Sequence, residues 1–196
     1  MVAARSTDAP PPPAGYRAPY SFVYPKLGMN IGAVAMVLVL IPLLAGFTWL
    51  LQGKSPLSGS TGLSGWRVLL FSLGVAAVTI VVHELIHGLA YRILGYRVSY
   101  GIYWKLGFYT AALRQFQQRD HIIVSALAPL VLLTVVMLPL LAIPNSLILE
   151  VAFIVLLVNT SGAVGDLYFT WRLWHVPRRT LAYDTDSSHS YVYEPE

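Results

Sequence analysis

The chain has 196 residues, of which 56% are hydrophobic and only 11% charged, with a mean hydropathy of +0.63. That balance excludes an ordinary soluble domain and fits a chain solvated largely by lipid. Cysteine is absent, which excludes disulfides and thiolate metal sites and leaves imidazole and carboxylate as ligands for any metal ion. The formal charge is +4, but Lys and Arg lie in flanks and loops with no basic stripe spaced by aromatics, so no nucleic-acid partner is expected.

Residues 1–27, with Pro10 to Pro13, Pro19 and Pro25, cannot bury a core, and this composition predicts a flexible lead-in. Residues 28–175 are expected to form one membrane-embedded domain and residues 176–196 a polar tail, with Tyr183, Tyr191 and Tyr193 around the stretch from Asp184 to Ser190. The first apolar run, about Leu27 to Leu51, is too long for a signal-peptide core and reads as a transmembrane helix despite Pro42. A Gly/Ser-rich loop, Gln52 to Gly65, leads to a second span from Trp66 to about Leu94. A third runs from about His121 to Ile143 and a fourth from about Leu147 to Trp171, joined by the Pro144-Asn145-Ser146 turn. The fold class expected is an all-α membrane protein of about four transmembrane helices. Between the second and third of them, Tyr96 to Leu113 alternates apolar and other residues, which suggests a cytoplasmic-side β-hairpin turning near Lys105 to Gly107, with an amphipathic interfacial loop as the other reading.

Positive charge orients the spans. Arg5, Arg17 and Lys26, then Arg92, Arg97, Lys105, Arg114 and Arg119, then Arg172, Arg178 and Arg179 fall on one side, against Lys54 and Arg67 on the other. This asymmetry puts both termini and the hairpin in the cytoplasm of what is expected to be an integral protein of a prokaryotic cell membrane.

The spans are nearly free of ionisable groups except for His83, Glu84 and His87 in the second and Asp166 in the fourth, with Glu150 and His121 nearer span ends. Such groups are costly in hydrocarbon and call for partners. His83-Glu84-Leu85-Ile86-His87 is an H-E-x-x-H motif, whose four-residue spacing stacks two imidazoles on one helix face, about 6 Å apart in rise, where they can share a zinc ion. Glu84, one position on, stands beside the metal, placed to take a proton from bound water and pass it to a leaving amine. A metal-free polar cluster joining helices is the alternative. The third ligand sought is a carboxylate at equal depth. Asp166 lies about 9 Å of helical rise from Arg172, and His87 about 12 Å from Gly95. Asn159, seven residues before Asp166, falls on nearly the same helix face and is a candidate to orient a substrate carbonyl or stabilise an oxyanion, or else to bond another helix.

His83 to His87 on a transmembrane helix, Ala126-Leu127-Ala128-Pro129-Leu130 in the next span, and the segment from Asn159 through Ser161-Gly162 to Gly165-Asp166 resemble the putative zincin peptidases of the site-2-protease-like kind, over roughly residues 70–175. The resemblance implies zinc held by His83, His87 and Asp166, Glu84 as base, and cleavage of a membrane-spanning substrate after local unwinding. The last motif departs from the better-known site-2 proteases in lacking a Pro-rich run and a glycine after Asp166. The expected function is therefore zinc-dependent intramembrane peptide hydrolysis, with a membrane protein or partner helix and membrane lipid as partners. Two rivals share these residues: a catalytically silent membrane scaffold that keeps the fold, and a zinc hydrolase of a lipid or small amide.

Overall fold

The computed structural model describes residues 9–53, 65–103, 107–186 and 189–196. Its helices form on the apolar runs: α1 (Lys26–Gln52), which runs through Pro42, α2 (Trp66–Ile93), α3 (Arg119–Met137), α4 (Ser146–Gly162) and α5 (Val164–Trp174), with a 3-10 turn at Pro139–Ala142. Lys26–Gln52, Trp66–Ile93 and Arg119–Ala142 are long and apolar enough to cross a membrane, and α4 with α5, bent by 44°, makes a fourth if the pair counts as one span. Leu27, Val34, Leu38 and Leu50 of α1 each expose well over half their surface. So much outward apolar area is unfavourable in water and costs little in lipid. The fourth span, expected to be continuous, breaks at Ala163, which caps α4.

The chain divides into two compact units, one of Lys26–His83 and Pro129–Val164, the other of Met1–Pro25, Glu84–Ala128 and Gly165–Glu196. The first is helical. Leu44 of α1 packs with Leu141 and with Leu149, Ala152, Phe153 and Leu156 of α4. Several polar groups in it are matched locally, as a low-dielectric surrounding demands. Gln52 Nε2 donates to the carbonyls of Leu141 and Ile143 at 2.6 and 2.9 Å, and Asn145 caps α4 by accepting from the amides of Leu147 and Ile148. Thr48, Thr79 and Ser161 each turn their hydroxyl back onto a carbonyl four residues earlier, the usual outlet for a hydroxyl in an apolar helix.

The second unit carries the sheets. Strands β2 (Ser99–Tyr103) and β3 (Gly107–Ala111) pair antiparallel, Ser99 opposite Ala111 and Tyr103 opposite Gly107, so the hairpin reading holds. Of the turn expected near Lys105 to Gly107, residues 105 and 106 lie outside the described residues, and Gly107 already belongs to β3. A separate four-stranded antiparallel sheet has the order β1 (Tyr20–Phe22), β6 (Ser190–Tyr193), β5 (Leu181–Asp184), β4 (Phe116–Gln118). The all-α expectation is therefore corrected: the described residues are mostly helical with two small antiparallel sheets. Tyr20–Phe22 of the segment expected to be flexible is a strand on Ser190–Tyr193, and the polar tail supplies two strands. The physical reason is tyrosine. The Tyr193 hydroxyl donates to the Pro10 carbonyl and that of Tyr16 to the Arg179 carbonyl, each at 2.8 Å, while Tyr191 and Tyr193 are buried. Beneath lies a core of Ile122, Ile123, Leu173 and Ala182.

Candidate metal centre

His83, Glu84 and His87 lie on consecutive turns of α2, and one ligand atom from each falls within 4.8 Å of the others. Both imidazoles are buried, at 8% exposure. Their Nδ1 atoms are engaged. That of His83 faces Asn159 Oδ1 at 2.9 Å and that of His87 faces the Ser125 backbone carbonyl at 2.8 Å. A carbonyl oxygen only accepts, so each Nδ1 carries the proton and Nε2 is the nitrogen able to ligate. Orientation of metal-binding histidines by a hydrogen bond from the second ring nitrogen is the usual supporting arrangement.

Asp166 lies in the first turn of α5, where the amide dipoles favour a carboxylate. Its Oδ2 is 3.6 Å from His87 Nε2. Sequence reasoning put Asp166 in mid-span on the same face as Asn159. The break at Ala163 separates them: Asn159 belongs to α4 and Asp166 opens α5. Asn159 is 1% exposed; its Oδ1 serves His83, and its Nδ2 has no hydrogen-bond partner among the described residues.

Glu84, His87 and Asp166 line a cavity of about 230 Å³. Strand β3 contributes Tyr109 and Thr110 to its wall, and the Thr110 hydroxyl donates to the Glu84 carbonyl at 2.8 Å, which ties the hairpin to the helix at the motif. The tail contributes Asp184, Asp186 and His189. These three were not singled out from the sequence, where they appear only as a polar stretch. Asp184 accepts from Gln117 Nε2 at 2.8 Å and from the Ser190 hydroxyl. Burial pushes its carboxyl above the ordinary range, opposed by those two hydrogen bonds.

The family model described as "Putative zincin peptidase" matches residues 76–181, more than half of the chain. The chain belongs to the putative zincin peptidase family. No curated protein and no solved structure matches it significantly. For this zincin-family chain the membership points to a metallopeptidase and implies zinc, and His83, Glu84 and His87 form a group that could hold a metal. The donor chemistry fits: two neutral imidazoles presenting Nε2 and a nearby carboxylate are what a zinc site without thiolates requires.

Proposed function

We propose that this zincin-family chain is a zinc-dependent intramembrane peptidase, with His83, His87 and Asp166 as metal ligands and Glu84 as general base. The observation that carries the reading is the pair of Nδ1 hydrogen bonds, from His83 to Asn159 and from His87 to the Ser125 carbonyl. Both buried rings are thereby held in the tautomer whose Nε2 is the nitrogen that ligates a metal. When bound, zinc lowers the pKa of water to roughly 7 and polarises a carbonyl. Glu84 takes a proton from the attacking water as its oxygen bonds to the substrate carbonyl carbon. The C–N bond then breaks and Glu84 returns the proton to the leaving amine. Asn159 keeps His83 in its tautomer, and its Nδ2–H is a donor for a substrate carbonyl or the oxyanion. The apolar outward faces of the long helices support a membrane location, and the Lys/Arg asymmetry supports cytoplasmic termini. The substrate is accordingly a membrane-spanning protein, unwound locally so that its amides are accessible.

Metal analysis and an uncut-substrate assay test this together. Purified wild-type protein is expected to hold one zinc per chain, His83→Ala to lose it, and Glu84→Gln to keep it. With Glu84→Gln, hydrolysis should fall by about 10²- to 10⁴-fold. Glu84→Gln protein that loses its zinc identifies Glu84 as a ligand; one that keeps zinc and full cellular function favours the scaffold.

A further inference from the structure

Side-chain hydrogen bonds join α2 to α4 at two levels. The Ser72 hydroxyl donates to Glu150 Oε1 at 3.3 Å, and His83 Nδ1 donates to Asn159 Oδ1 at 2.9 Å. Ser72 and His83 are separated by about 16 Å of helical rise. Along that stretch lies an apolar groove of about 470 Å³, lined by Phe71, Val75, Val78 and Val82 of α2 and by Val151 and Val155 of α4, with α3 also contributing. Thr79 and Val155 on its walls lie one helical turn before His83 and Asn159.

The groove walls are hydrocarbon. Thr79, the one polar side chain among the residues that line the groove, turns its hydroxyl onto the Val75 carbonyl at 2.7 Å. An extended peptide backbone would find its amides unmatched there, whereas a hydrocarbon would not. Shape narrows the choice further. Spread over about 16 Å, the volume amounts to a cross-section of about 30 Å², well under the roughly 80 Å² of a helix about 10 Å across. A single extended chain fits. Its length is close to half of the hydrocarbon thickness of about 30 Å, the depth that one leaflet supplies.

The mouth of the groove carries the opposite chemistry. Arg67 lies four residues before Phe71, on the same face of α2 and one turn beyond the groove. It is exposed, and its guanidinium lies 5.8 Å from the centre of the Trp66 ring. Trp66 exposes 67% of its surface, and exposed tryptophan at the end of a spanning helix marks the level of lipid headgroups. A cation at that level, above a groove sized for an acyl chain, is complementary to a lipid phosphate.

We propose that the groove between α2 and α4 binds one acyl chain of a phospholipid whose phosphate is met by Arg67. The assignment rests on the membrane location proposed above and on nothing in the peptidase chemistry. The Lys/Arg asymmetry puts this end of α2 outside, so the lipid belongs to the outer leaflet. Its chain fills walls that would otherwise forgo dispersion contacts, and it braces α2 against α4 along the stretch that leads to His83 and Asn159.

The test titrates full-length protein, stripped of lipid in detergent, with dioleoyl phosphatidylglycerol, using native mass spectrometry and thermal melting in parallel. Wild type should retain one lipid per chain and melt higher as lipid is added. Gly74 lies on the groove wall, and a Cβ built on it meets nothing within 4 Å. Gly74→Leu should therefore plug the groove, lose the retained lipid and the rise in melting temperature, and melt no lower than wild type without lipid, since leucine favours the helix. Arg67→Gln should weaken phosphatidylglycerol binding by at least about 10-fold, yet bind dioleoylglycerol, which lacks the phosphate, as weakly as wild type does. Leu38→Phe, on the exposed face of α1, should change nothing. Glu84→Gln should hold lipid like wild type, so failure of the peptidase reading leaves this one standing. Wild-type lipid affinity in Gly74→Leu or in Arg67→Gln overturns the assignment. If Gly74→Leu keeps its lipid but loses hydrolysis of a membrane substrate, the groove belongs to a substrate helix; if it keeps its lipid but dissociates a dimer, the groove belongs to a second copy of the chain. Either result overturns the lipid site.

Discussion

Asn159→Leu isolates the orienting bond on His83. Leucine is close to asparagine in size, so the buried position stays filled, but the acceptor for His83 Nδ1–H is gone. Two local costs nearly cancel in the metal-free protein. The His83 N–H loses its partner, a penalty of about 1–3 kcal/mol for a buried donor, and the unpartnered Asn159 Nδ2, which bears a similar penalty, is removed. Melting without metal should therefore shift little. Zinc affinity should not be spared, because loss of such a partner typically costs about 10- to 100-fold, or about 1.4–2.7 kcal/mol. The control lies on the other histidine. His87 bonds the backbone carbonyl of Ser125, while the Ser125 hydroxyl is buried with no partner among the described residues, so Ser125→Ala should leave zinc affinity unchanged. Competition against a chromogenic chelator in detergent gives both values. Asn159→Leu affinity within two-fold of wild type, or an equal loss in Ser125→Ala, refutes the role given to the Nδ1 bonds.

The raised pKa of Asp184 makes stability depend on pH in a stated direction. The folded state holds its proton more tightly than the unfolded chain, so its contribution is full below the ordinary carboxylate value of about 4 and is lost as pH rises through the raised folded value. Asp184→Asn should flatten that fall in thermal melts, and an unaltered slope counts against it. Cysteine placed at Asn145 should react with an impermeant external reagent while cysteine at Glu196 is protected; the reverse pattern inverts the topology. If β3 holds unwound substrate by backbone pairing, proline substitutions at successive positions from Phe108 to Ala111 should impair cleavage at alternate sites, and uniform tolerance speaks against that use of the strand.

The long helices were readable because each is a continuous apolar run, a signal that survives without knowledge of neighbours. The histidine pair was readable because a helix turns four-residue spacing into proximity. The sheet was not. Tyr20–Phe22 and Phe116–Gln118 are three residues each, too short for periodicity, and Tyr20 pairs with Val192 almost a whole chain away. A proline-rich composition argued for a loose lead-in, yet the tyrosine hydroxyls that fasten it act on backbone carbonyls that no pattern reveals. The break at Ala163 was hidden for a different reason. Ser161, Gly162 and Gly165 are small residues that serve close helix packing as readily as a bend, so the face shared by Asn159 and Asp166 was drawn along a helix that stops between them. The place of Asp186 and His189 on the cavity wall gave no signal, since short polar residues near a terminus usually mark a solvated tail.

Gly88, next to His87, shows how closely the hairpin approaches the motif. A Cβ built on it would collide with the Tyr100 ring, and the Arg92 guanidinium lies 5.5 Å from that ring's centre. Two effects oppose each other in Gly88→Ala. Alanine favours the helix by about 1 kcal/mol over glycine, whereas the ring must leave its place, losing packing and a cation–π contact of about 0.5–1 kcal/mol at an exposed site. Tyr100 is 45% exposed, so the ring can swing into solvent without dragging the backbone. Global stability should then change by less than about 1 kcal/mol, while the local fit of β2 against α2 is lost. A double-mutant cycle separates the terms. In a Tyr100→Ala background the collision is absent, so Gly88→Ala should be stabilising by nearly the full helix-propensity difference. If the substitution costs the same with and without Tyr100, the glycine is not there to admit the ring, and the Thr110 hydroxyl on the Glu84 carbonyl is the better account of how the hairpin is tied to the motif.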